Sequence, residues 1–397
     1  MHLVQKTIIL NIDSIGVGDL PDSSFYAIQG ASNLSNLSKK IRNIKLPNLA
    51  NLGLGNITVI DGLERKEDTI GFYGKIGRAS DGTDTRIGHW ELSGLKFESL
   101  FYTNYSTFFD DFMSELSRRT GQKFLYRMDF RDNSIINLYY SEHISEKQPL
   151  VFVDKMGTVV ILFFENLFTR EAMETITQHA QHLCEYYGIL QLQIQIFNGS
   201  FNNFTSLDAQ NYYLTNKGVT LFDGLSPFEI PVYSIAKNNF FTHKNIQTIK
   251  SENDIEALNK LIQLLDIMNR KKMEQAFIYI HLTDLIDIYI KNNDIKGYAT
   301  HLEELDKFLS KIFRAMNTAD MLFITSTSSC DPVLNHKISS REYFPLIVYS
   351  RILQVRSRGN IGVRRSLLDI SDTISDIYSL DYKFGGDSFW SYMVRHV

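Results

Sequence analysis

The sequence predicts an α/β protein with a mostly parallel main sheet and a separate α+β domain inserted into it. Short, largely apolar runs have the length of buried strands, and they are Thr7–Asp13, Ala276–Leu282, Met321–Thr325 and Phe344–Tyr349. Two segments, Glu256–Met268 and Gly297–Met316, carry apolar residues at helical spacing. Alternation of such strands and helices indicates helices packed on a mostly parallel sheet.

The middle of the chain differs from this pattern. Strand-like Leu150–Asp154 and Thr158–Phe163 precede a helical stretch, Arg170–Tyr187, and a further strand-like run, Leu190–Phe197. A β-β-α-β order of this kind predicts a compact domain with its own sheet.

We therefore predict a core domain formed by residues 1–98 and 221–397, interrupted by an inserted domain at 99–220. The segment Phe222–Ser226 is predicted to be a connecting loop because it combines Gly, Ser and Asp.

The composition excludes several classes of protein. Hydrophobic residues make up 44% and charged residues 22% of the chain, as in ordinary globular proteins. A net charge of −4 gives no electrostatic basis for binding nucleic acid or an anionic membrane. Only two cysteines occur, and the apolar run near the N-terminus is too short for a signal peptide or a membrane span. We expect a cytoplasmic protein without nucleic-acid or membrane partners.

Two segments have the composition of a functional site. The first strand ends in Asp13, and functional groups of parallel sheets gather at the carboxyl ends of strands. The segment Asp81–Gly94 combines Thr85 and His89 with three glycines, which is untypical of a core helix or strand.

Several motifs resemble those of bacterial phosphopentomutase, a branch of the alkaline phosphatase superfamily. They are I-I-L-N-I-D-S-I-G-V-G (Ile8–Gly18), L-P-N-L-A-N-L-G-L-G (Leu46–Gly55), D-T-x-x-G-H-W-E (Asp84–Glu91), D-I-K-G-Y-A (Asp294–Ala299), C-D-P (Cys330–Pro332) and R-E-Y-F-P (Arg341–Pro345). The resemblance spans essentially the whole chain. It implies an alkaline-phosphatase-like core, and it implies that the inserted domain is the family's cap.

The resemblance also implies a reaction. Enzymes of this family interconvert ribose 1-phosphate and ribose 5-phosphate with two bound Mn²⁺ ions. The threonine that carries the phosphoryl group corresponds to Thr85, and one metal ligand corresponds to Asp13. A threonine hydroxyl is a poor nucleophile near neutral pH, and metal coordination is what activates it.

Most of the implied metal ligands are replaced. The family's D-F-D-x-x-Y-G-H, T-A-D-H-G-C-D-P and D-H-T-R-E motifs supply five ligands besides the first aspartate. The residues at those positions are Ile286, Lys291, Thr327, Ser328 and Ser339. Hydroxyls are weak substitutes for carboxylates and imidazoles, isoleucine is no ligand, and lysine brings a like charge. Nearby Asp284, Asp287 and His336 are the residues that could take over.

The substrate-binding positions implied by the resemblance have also changed. Phe152–Thr158 and Phe204–Gln210 lack the arginines that would bind a phosphate. Lys237 still matches a family lysine. Lys291 raises an alternative, because an ammonium in the place of a metal could compensate Asp13 and leave an anion-binding pocket. Equally, Lys291 could extend to solvent from an exposed loop.

The other matching residues have a structural interpretation. We interpret Asp84, His89, Glu91, Asp331 and Arg341 as groups that hold the former site together, and His281 and His336 as isolated histidines. Thr85 then persists because its loop forms a structural turn.

The leading hypothesis is a phosphopentomutase-like pseudoenzyme that has lost the two-metal centre and binds a protein partner or a phosphorylated small molecule. No cofactor is expected under this hypothesis. The first alternative is an active phosphopentomutase or related phosphotransferase with an altered metal site, which would use Mn²⁺. The second alternative is a structural subunit that assembles with an active paralogue.

Overall fold

The computed structural model describes residues 3–26, 28–99, 105–127, 135–153, 158–215, 217–241, 243–334, 339–353 and 359–395. The chain divides into two compact units. Met1–Phe97 and Lys217–Val397 form the unit that we call the core unit, and Glu98–Asn216 forms the unit that we call the cap unit, after the domain that the resemblance implies. The predicted inserted domain, 99–220, begins one residue later and ends four residues later than the cap unit. His336, Ile338 and Asp154–Gly157 lie outside the described residues.

The described residues of the first part of the core unit form two strands of the main sheet and four short α-helices. In chain order they are β1 (Lys6–Ile12), α1 (Asn33–Lys40), α2 (Pro47–Leu52), α3 (Leu54–Ile57), β2 (Phe72–Ile76) and α4 (Thr85–Leu92). β1 is buried along its whole length, as expected for a strand covered on both faces.

The cap unit has its own five-stranded sheet, in the order β3-β4-β5-β6-β7. Its elements are α5 (Tyr105–Thr120), β3 (Leu125–Arg127), α6 (Ile135–Glu146), β4 (Leu150–Val153), β5 (Val159–Phe164), α7 (Arg170–Tyr187), β6 (Gln191–Ser200) and β7 (Asn203–Tyr213). A hydrophobic cluster that includes Phe109, Phe112, Val151, Ile161 and Leu183 fills the space between the sheet and helices α5 and α7.

The second part of the core unit completes the main sheet. Its elements are α8 (Leu221–Leu225), β8 (Val232–Ala236), β9 (Ile246–Lys250), α9 (Asp254–Arg270), β10 (Ala276–Leu282), α10 (Ile295–Ala315), β11 (Met321–Thr325), β12 (Phe344–Tyr349), β13 (Asn360–Arg364), α11 (Leu368–Tyr378) and α12 (Trp390–Arg395). A π-helical turn, Leu285–Ile290, follows β10.

The main sheet has eight strands in the order β13-β2-β12-β11-β1-β10-β8-β9. β1 lies at its centre and pairs in parallel with β10 and β11. The predicted strand Phe344–Tyr349 has the same bounds as β12, which runs antiparallel to both of its neighbours. The sheet is therefore mostly parallel, as predicted. The carboxyl ends of β10, β1 and β11 meet at one edge, where Asp13 lies.

Two regular elements of the structure differ from the prediction. One was predicted to be a loop, and the other was not predicted. The prediction of a loop at Phe222–Ser226 is wrong, because Leu221–Leu225 is a helical turn. Thr220 and Asp223 form a capping box that satisfies the first backbone N–H groups of this helix. β7 was not predicted, because this edge strand is polar and largely exposed and so lacks a buried apolar face.

No helix of the described ranges is both long enough and apolar enough to cross a membrane.

Candidate functional site

The centre of the candidate site is the Asp13 carboxylate, which is buried at the end of β1. Asn11 lies two residues earlier on the same face of the strand, and its side-chain amide donates to Asp13 Oδ1 (3.3 Å) and to Thr327 Oγ1 (2.9 Å). The Thr327 hydroxyl donates to Asp13 Oδ1 at 3.2 Å. Asp13 is therefore held by side chains of its own strand and of the segment that follows β11.

His281 completes this arrangement from the neighbouring strand. In the parallel register, His281 of β10 lies beside Asn11, and its Nε2 atom lies 2.7 Å from Asp13 Oδ2. The interpretation of His281 as an isolated histidine is therefore wrong. The missed signal is the alternation in both strands, since Asn11 and Asp13, like Tyr279 and His281, recur at i and i+2 and share one sheet face.

His89 approaches the same place from helix α4. Its Nδ1 atom lies 2.8 Å from the Tyr279 hydroxyl, its Nε2 atom lies 3.5 Å from Thr327 Oγ1, and its ring stacks on Phe240. Burial, assisted by the charge of His281, lowers the pKa of His89 well below its usual value. His89 is therefore a neutral imidazole at neutral pH, with one nitrogen fixed by Tyr279.

At three of the positions where the resemblance implies a metal ligand, the side chain is not a strong metal donor that could act together with Asp13. Ile286 packs against the hydrophobic core. The Ser328 hydroxyl is buried without a hydrogen-bond partner among the described residues, and Ser339 is partly buried. Thr327, at another of these positions, hydrogen-bonds directly to Asp13.

Lys291 does not take the place of a metal beside Asp13. Its side chain is 63% exposed, and its ammonium group lies 2.6 Å from Asp287 Oδ1. Lys237 approaches the other oxygen of Asp287 at 3.8 Å. The two lysines thus share a carboxylate at the surface, whereas the group that lies against Asp13 is His281.

Thr85 is the first residue of α4, and its loop is held by structural contacts. Asp84 caps the helix by accepting the Arg86 backbone N–H at 2.8 Å, and it also pairs with the Arg86 side chain. Gly88 lies against the Thr327 backbone so closely that a Cβ atom would lie 2.0 Å from the Thr327 carbonyl oxygen. Only glycine permits this approach, which brings α4 to the strand end that carries Thr327.

Two buried arginines fix the loop that precedes Thr85. Arg78 donates to the carbonyls of Gly82 (2.6 Å) and Asp84 (3.1 Å). Arg341 donates to the carbonyl of Gly82 at 2.9 Å and forms an ion pair with Asp22 at 2.8 Å. Burial and the charge of Arg341 lower the pKa of Arg78 to about 10. Arg341 thus helps to hold this loop in its conformation.

Glu91 is buried, and its hydrogen bonds link two segments of the chain. Its carboxylate accepts the backbone N–H groups of Ala79 (2.9 Å), Ser80 (2.6 Å) and Leu367 (2.9 Å).

Asp331 similarly holds the start of α1, since it accepts the Ser32 backbone N–H (3.1 Å) and the Asn36 amide (2.7 Å). A further buried acid, Glu342, was missed by the sequence reasoning, and it accepts the Asn33 backbone N–H at 2.8 Å and the Ser329 hydroxyl at 2.6 Å.

A second buried cluster lies between α9, the turn after β10 and α10. Asp254 and Asp284 each accept the other's backbone N–H, at 2.9 Å for Asp284 Oδ2 and 3.2 Å for Asp254 Oδ1. Asp254 also accepts the Thr283 N–H at 2.8 Å, and its Oδ2 lies 3.0 Å from His301 Nε2. Burial, together with the charge of Asp254, raises the pKa of Asp284.

The donor atoms of these residues decide which metals fit. A two-metal centre does not fit, because the positions where the resemblance implies ligands offer an isoleucine, an exposed lysine and hydroxyls. The expectation of no metal is nevertheless unsupported. The ligand atoms of Asp13, His89 and His281 lie within 4.8 Å of one another, as do those of Asp254, Asp284 and His301. The first set could hold one ion, whereas Asp254 of the second set is already bonded to the backbone N–H groups of Thr283 and Asp284.

A cleft of about 580 Å³ lies within the cap unit, between α7 and strands β6 and β7. Its charged lining consists of Glu165, Glu174, Asp208 and Arg170. Arg170 already pairs with Glu174 at 3.3 Å. Acidic groups therefore dominate, and a phosphorylated ligand is not expected in this cleft.

Comparisons with known proteins agree with the motifs. The profile of the metalloenzyme superfamily matches residues 5–382. The phosphopentomutase of Alkaliphilus metalliredigens is 30% identical over 397 residues, covering 99% of this chain and all of that protein. The phosphopentomutase of Pseudothermotoga lettingae is 30% identical over 98% of this chain and 100% of its own length.

The phosphopentomutase of Alkaliphilus oremlandii is 29% identical over 99% of this chain and 100% of its own length. Among solved structures, the alkaline phosphatase of the Antarctic bacterium TAB5 aligns with 96% of this chain at a TM-score of 0.39 and 11% identity. The chain therefore belongs to the metalloenzyme superfamily, as a divergent relative of the phosphopentomutases.

Proposed function

We propose that this chain is a phosphopentomutase-like protein that does not carry out two-metal phosphoryl transfer and acts instead as a binding or regulatory protein. One observation carries the proposal. Asp13, the retained ligand, is bonded to Asn11, Thr327 and His281, while the replaced positions Ile286 and Lys291 contact other parts of the protein. The second metal therefore lacks ligands.

The retained Thr85 loop is compatible with this function. Its conformation depends on the Asp84 cap, the close approach of Gly88 and the bonds from Arg78 and Arg341, and none of these contacts requires a metal. A threonine that no two-metal centre activates is a weak nucleophile, so we assign Thr85 a structural role.

The partner in this proposal is a protein or a phosphorylated small molecule. Lys237 and Lys291 are cations with solvent-accessible side chains that could meet an anionic group, and both pair with Asp287. A cytoplasmic location is part of the proposal, in keeping with the free thiols of Cys184 and Cys330.

The experiment is a mutase assay with ribose 1-phosphate and saturating Mn²⁺, performed on the wild type, Thr85→Ala and Thr83→Ala. Thr83 lies in the same loop, so its variant controls for loss of loop structure. We expect the wild type and Thr85→Ala to give the same rate, because no turnover should depend on Mn²⁺ and Thr85. Turnover that is abolished in Thr85→Ala and retained in Thr83→Ala would overturn the proposal.

That opposite result would support the active alternative, a phosphotransferase with an altered metal site and Mn²⁺ as the first metal to try. The grouping of Asp13, His89 and His281 is the observation that favours this second candidate. The third candidate, a structural subunit beside an active paralogue, predicts that the paralogue co-purifies in a fixed ratio and that the mutase activity belongs to the complex.

A further inference from the structure

The starting observation is that Asp13 and two histidines bring three strong ligand atoms together in a buried place. The ligand atoms of Asp13, His89 and His281 lie within 4.8 Å of one another. All three residues are at most 2% exposed. Two imidazoles and one carboxylate form a donor set that binds zinc and related divalent transition metals in other proteins.

The surroundings of His89 and Asp13 match those of metal ligands. His89 Nδ1 is fixed by the Tyr279 hydroxyl at 2.8 Å, which leaves Nε2 directed toward Thr327 and Asp13. Asp13 Oδ1 is oriented by Asn11 and Thr327. A second group that orients each ligand is the usual arrangement around a bound metal.

Unsatisfied polar atoms surround the same place. Asn11 Oδ1, His281 Nδ1, Thr325 Oγ1 and Ser328 Oγ are buried and have no hydrogen-bond partner among the described residues. In the sheet register, His281 and Thr325 flank Asn11 on either side, so three of these atoms belong to adjacent residues. Buried polar atoms normally find a partner, and the described residues do not supply one here.

We infer that Asp13, His89 and His281 form a site for one divalent transition-metal ion of the zinc class. Two of these three ligands lie outside the ligand set implied by the resemblance to phosphopentomutases, which shares only Asp13. Thr327 supplies a hydroxyl beside the ion. Asp13 and His281 are in direct hydrogen-bond contact at 2.7 Å, so their side chains separate when the ion enters.

The choice of ion follows from the ligands. Imidazole nitrogens favour Zn²⁺ over Mg²⁺, which prefers a shell of oxygens. A single carboxylate gives the loaded site a net positive charge, in contrast to sets with several carboxylates. The site therefore discriminates by donor type, and Mg²⁺ is the matched negative control.

The test is a titration of chelator-stripped, full-length protein with Zn²⁺ alone, in competition with a chromogenic chelator. We expect one equivalent of Zn²⁺ to bind, Mg²⁺ not to displace it, and Asp13→Asn to weaken binding by at least about 100-fold. Asp254→Asn is the matched control, because Asp254 is another buried carboxylate beside a buried histidine. We expect it to leave the Zn²⁺ affinity unchanged.

Two results would overturn the inference. One is the absence of stoichiometric Zn²⁺ binding by the wild type, a result that does not depend on the folding of any variant. The other is loss of binding in Asp254→Asn with retention in Asp13→Asn, which would place the ion at the second cluster. As a second readout, the visible spectrum of the Co²⁺-loaded protein should change in His281→Asn if the imidazole binds the ion.

The inference can fail separately from the proposed function. Zinc binding without mutase turnover supports both. Mutase turnover with Zn²⁺ bound at Asp13 overturns the proposed function alone, and absence of both zinc binding and turnover overturns this inference alone.

Discussion

Two buried aspartate–histidine pairs can be compared within the core unit. Asp13 and His281 are 2.7 Å apart at the end of the central strands, and Asp254 and His301 are 3.0 Å apart beside helices α9 and α10. The other bonds to Asp254 come from the backbone N–H groups of Thr283 and Asp284, whereas those to Asp13 come from side chains.

This difference separates a structural carboxylate from one that can change partners. Backbone donors are fixed by the fold, so Asp254 ties α9 to the turn after β10 and cannot move without loss of those bonds. Side-chain donors can rotate, and Asn11 and Thr327 also bond to each other at 2.9 Å. The Asp13 cluster can therefore rearrange around an ion at a smaller cost.

The largest effect that tests this comparison is on stability. We expect Asp254→Ala to lower the free energy of unfolding by about 3–5 kcal/mol, because it leaves fixed backbone donors unpaired in the interior. Asp13→Ala should cost only about 1–3 kcal/mol, because its partners can bond to one another. Urea unfolding in the presence of a chelator measures both variants, and equal or reversed losses would contradict the distinction.

A smaller effect concerns the pH dependence of two neighbouring acids. Burial and the charge of Asp254 raise the pKa of Asp284. Burial also acts to raise the pKa of Asp287, but hydrogen bonds from Lys291 and Thr283 and the charges of the lysines outweigh it, so that this pKa is lowered. An acid with a raised pKa opposes folding above the unfolded value of about 3.9, and an acid with a lowered pKa favours folding there.

We therefore expect Asp284→Asn to raise the urea midpoint at pH 7 and Asp287→Asn to lower it. Both differences from the wild type should shrink as the pH falls toward about 4 and below, where the unfolded carboxyls become protonated. The two variants serve as controls for each other, since their residues lie in the same turn. A lower midpoint in Asp284→Asn would show that burial and Asp254 do not disfavour the ionised form of Asp284. A higher midpoint in Asp287→Asn would show that Lys291 and Thr283 do not favour the ionised form of Asp287.

The smallest effect concerns two threonine hydroxyls. Thr327 bonds to both Asp13 and Asn11 in the interior, and Thr283 donates to Asp287 at 3.0 Å nearer the surface. We expect Thr327→Val to cost about 1–2 kcal/mol and Thr283→Val about 0.5 kcal/mol. Thermal unfolding of chelator-treated protein checks the order, and a larger loss for Thr283→Val would place the better satisfied network at Asp287.

Much of the core could be predicted because its strands are buried on both faces. The predicted runs Ala276–Leu282 and Met321–Thr325 have the same bounds as β10 and β11, since continuous apolar runs of this length have few alternatives. The helical turn Leu221–Leu225 was not predicted, because the Gly and Ser residues of this segment are typical of a loop. The turn is stabilised by a capping box.

The sequence by itself determined which residues stand at the positions where the resemblance implies metal ligands, and the identity of a side chain limits its chemistry whatever the fold. It also determined the α/β class through the periodicity of its apolar residues. Only the tertiary structure decided what lies against Asp13, because His281 and His89 are 268 and 76 positions away along the chain and meet Asp13 through strand register and the docking of α4. For the same reason, only the structure placed Lys291 at the surface beside Asp287. Sequence spacing cannot fix contacts that depend on how distant elements pack.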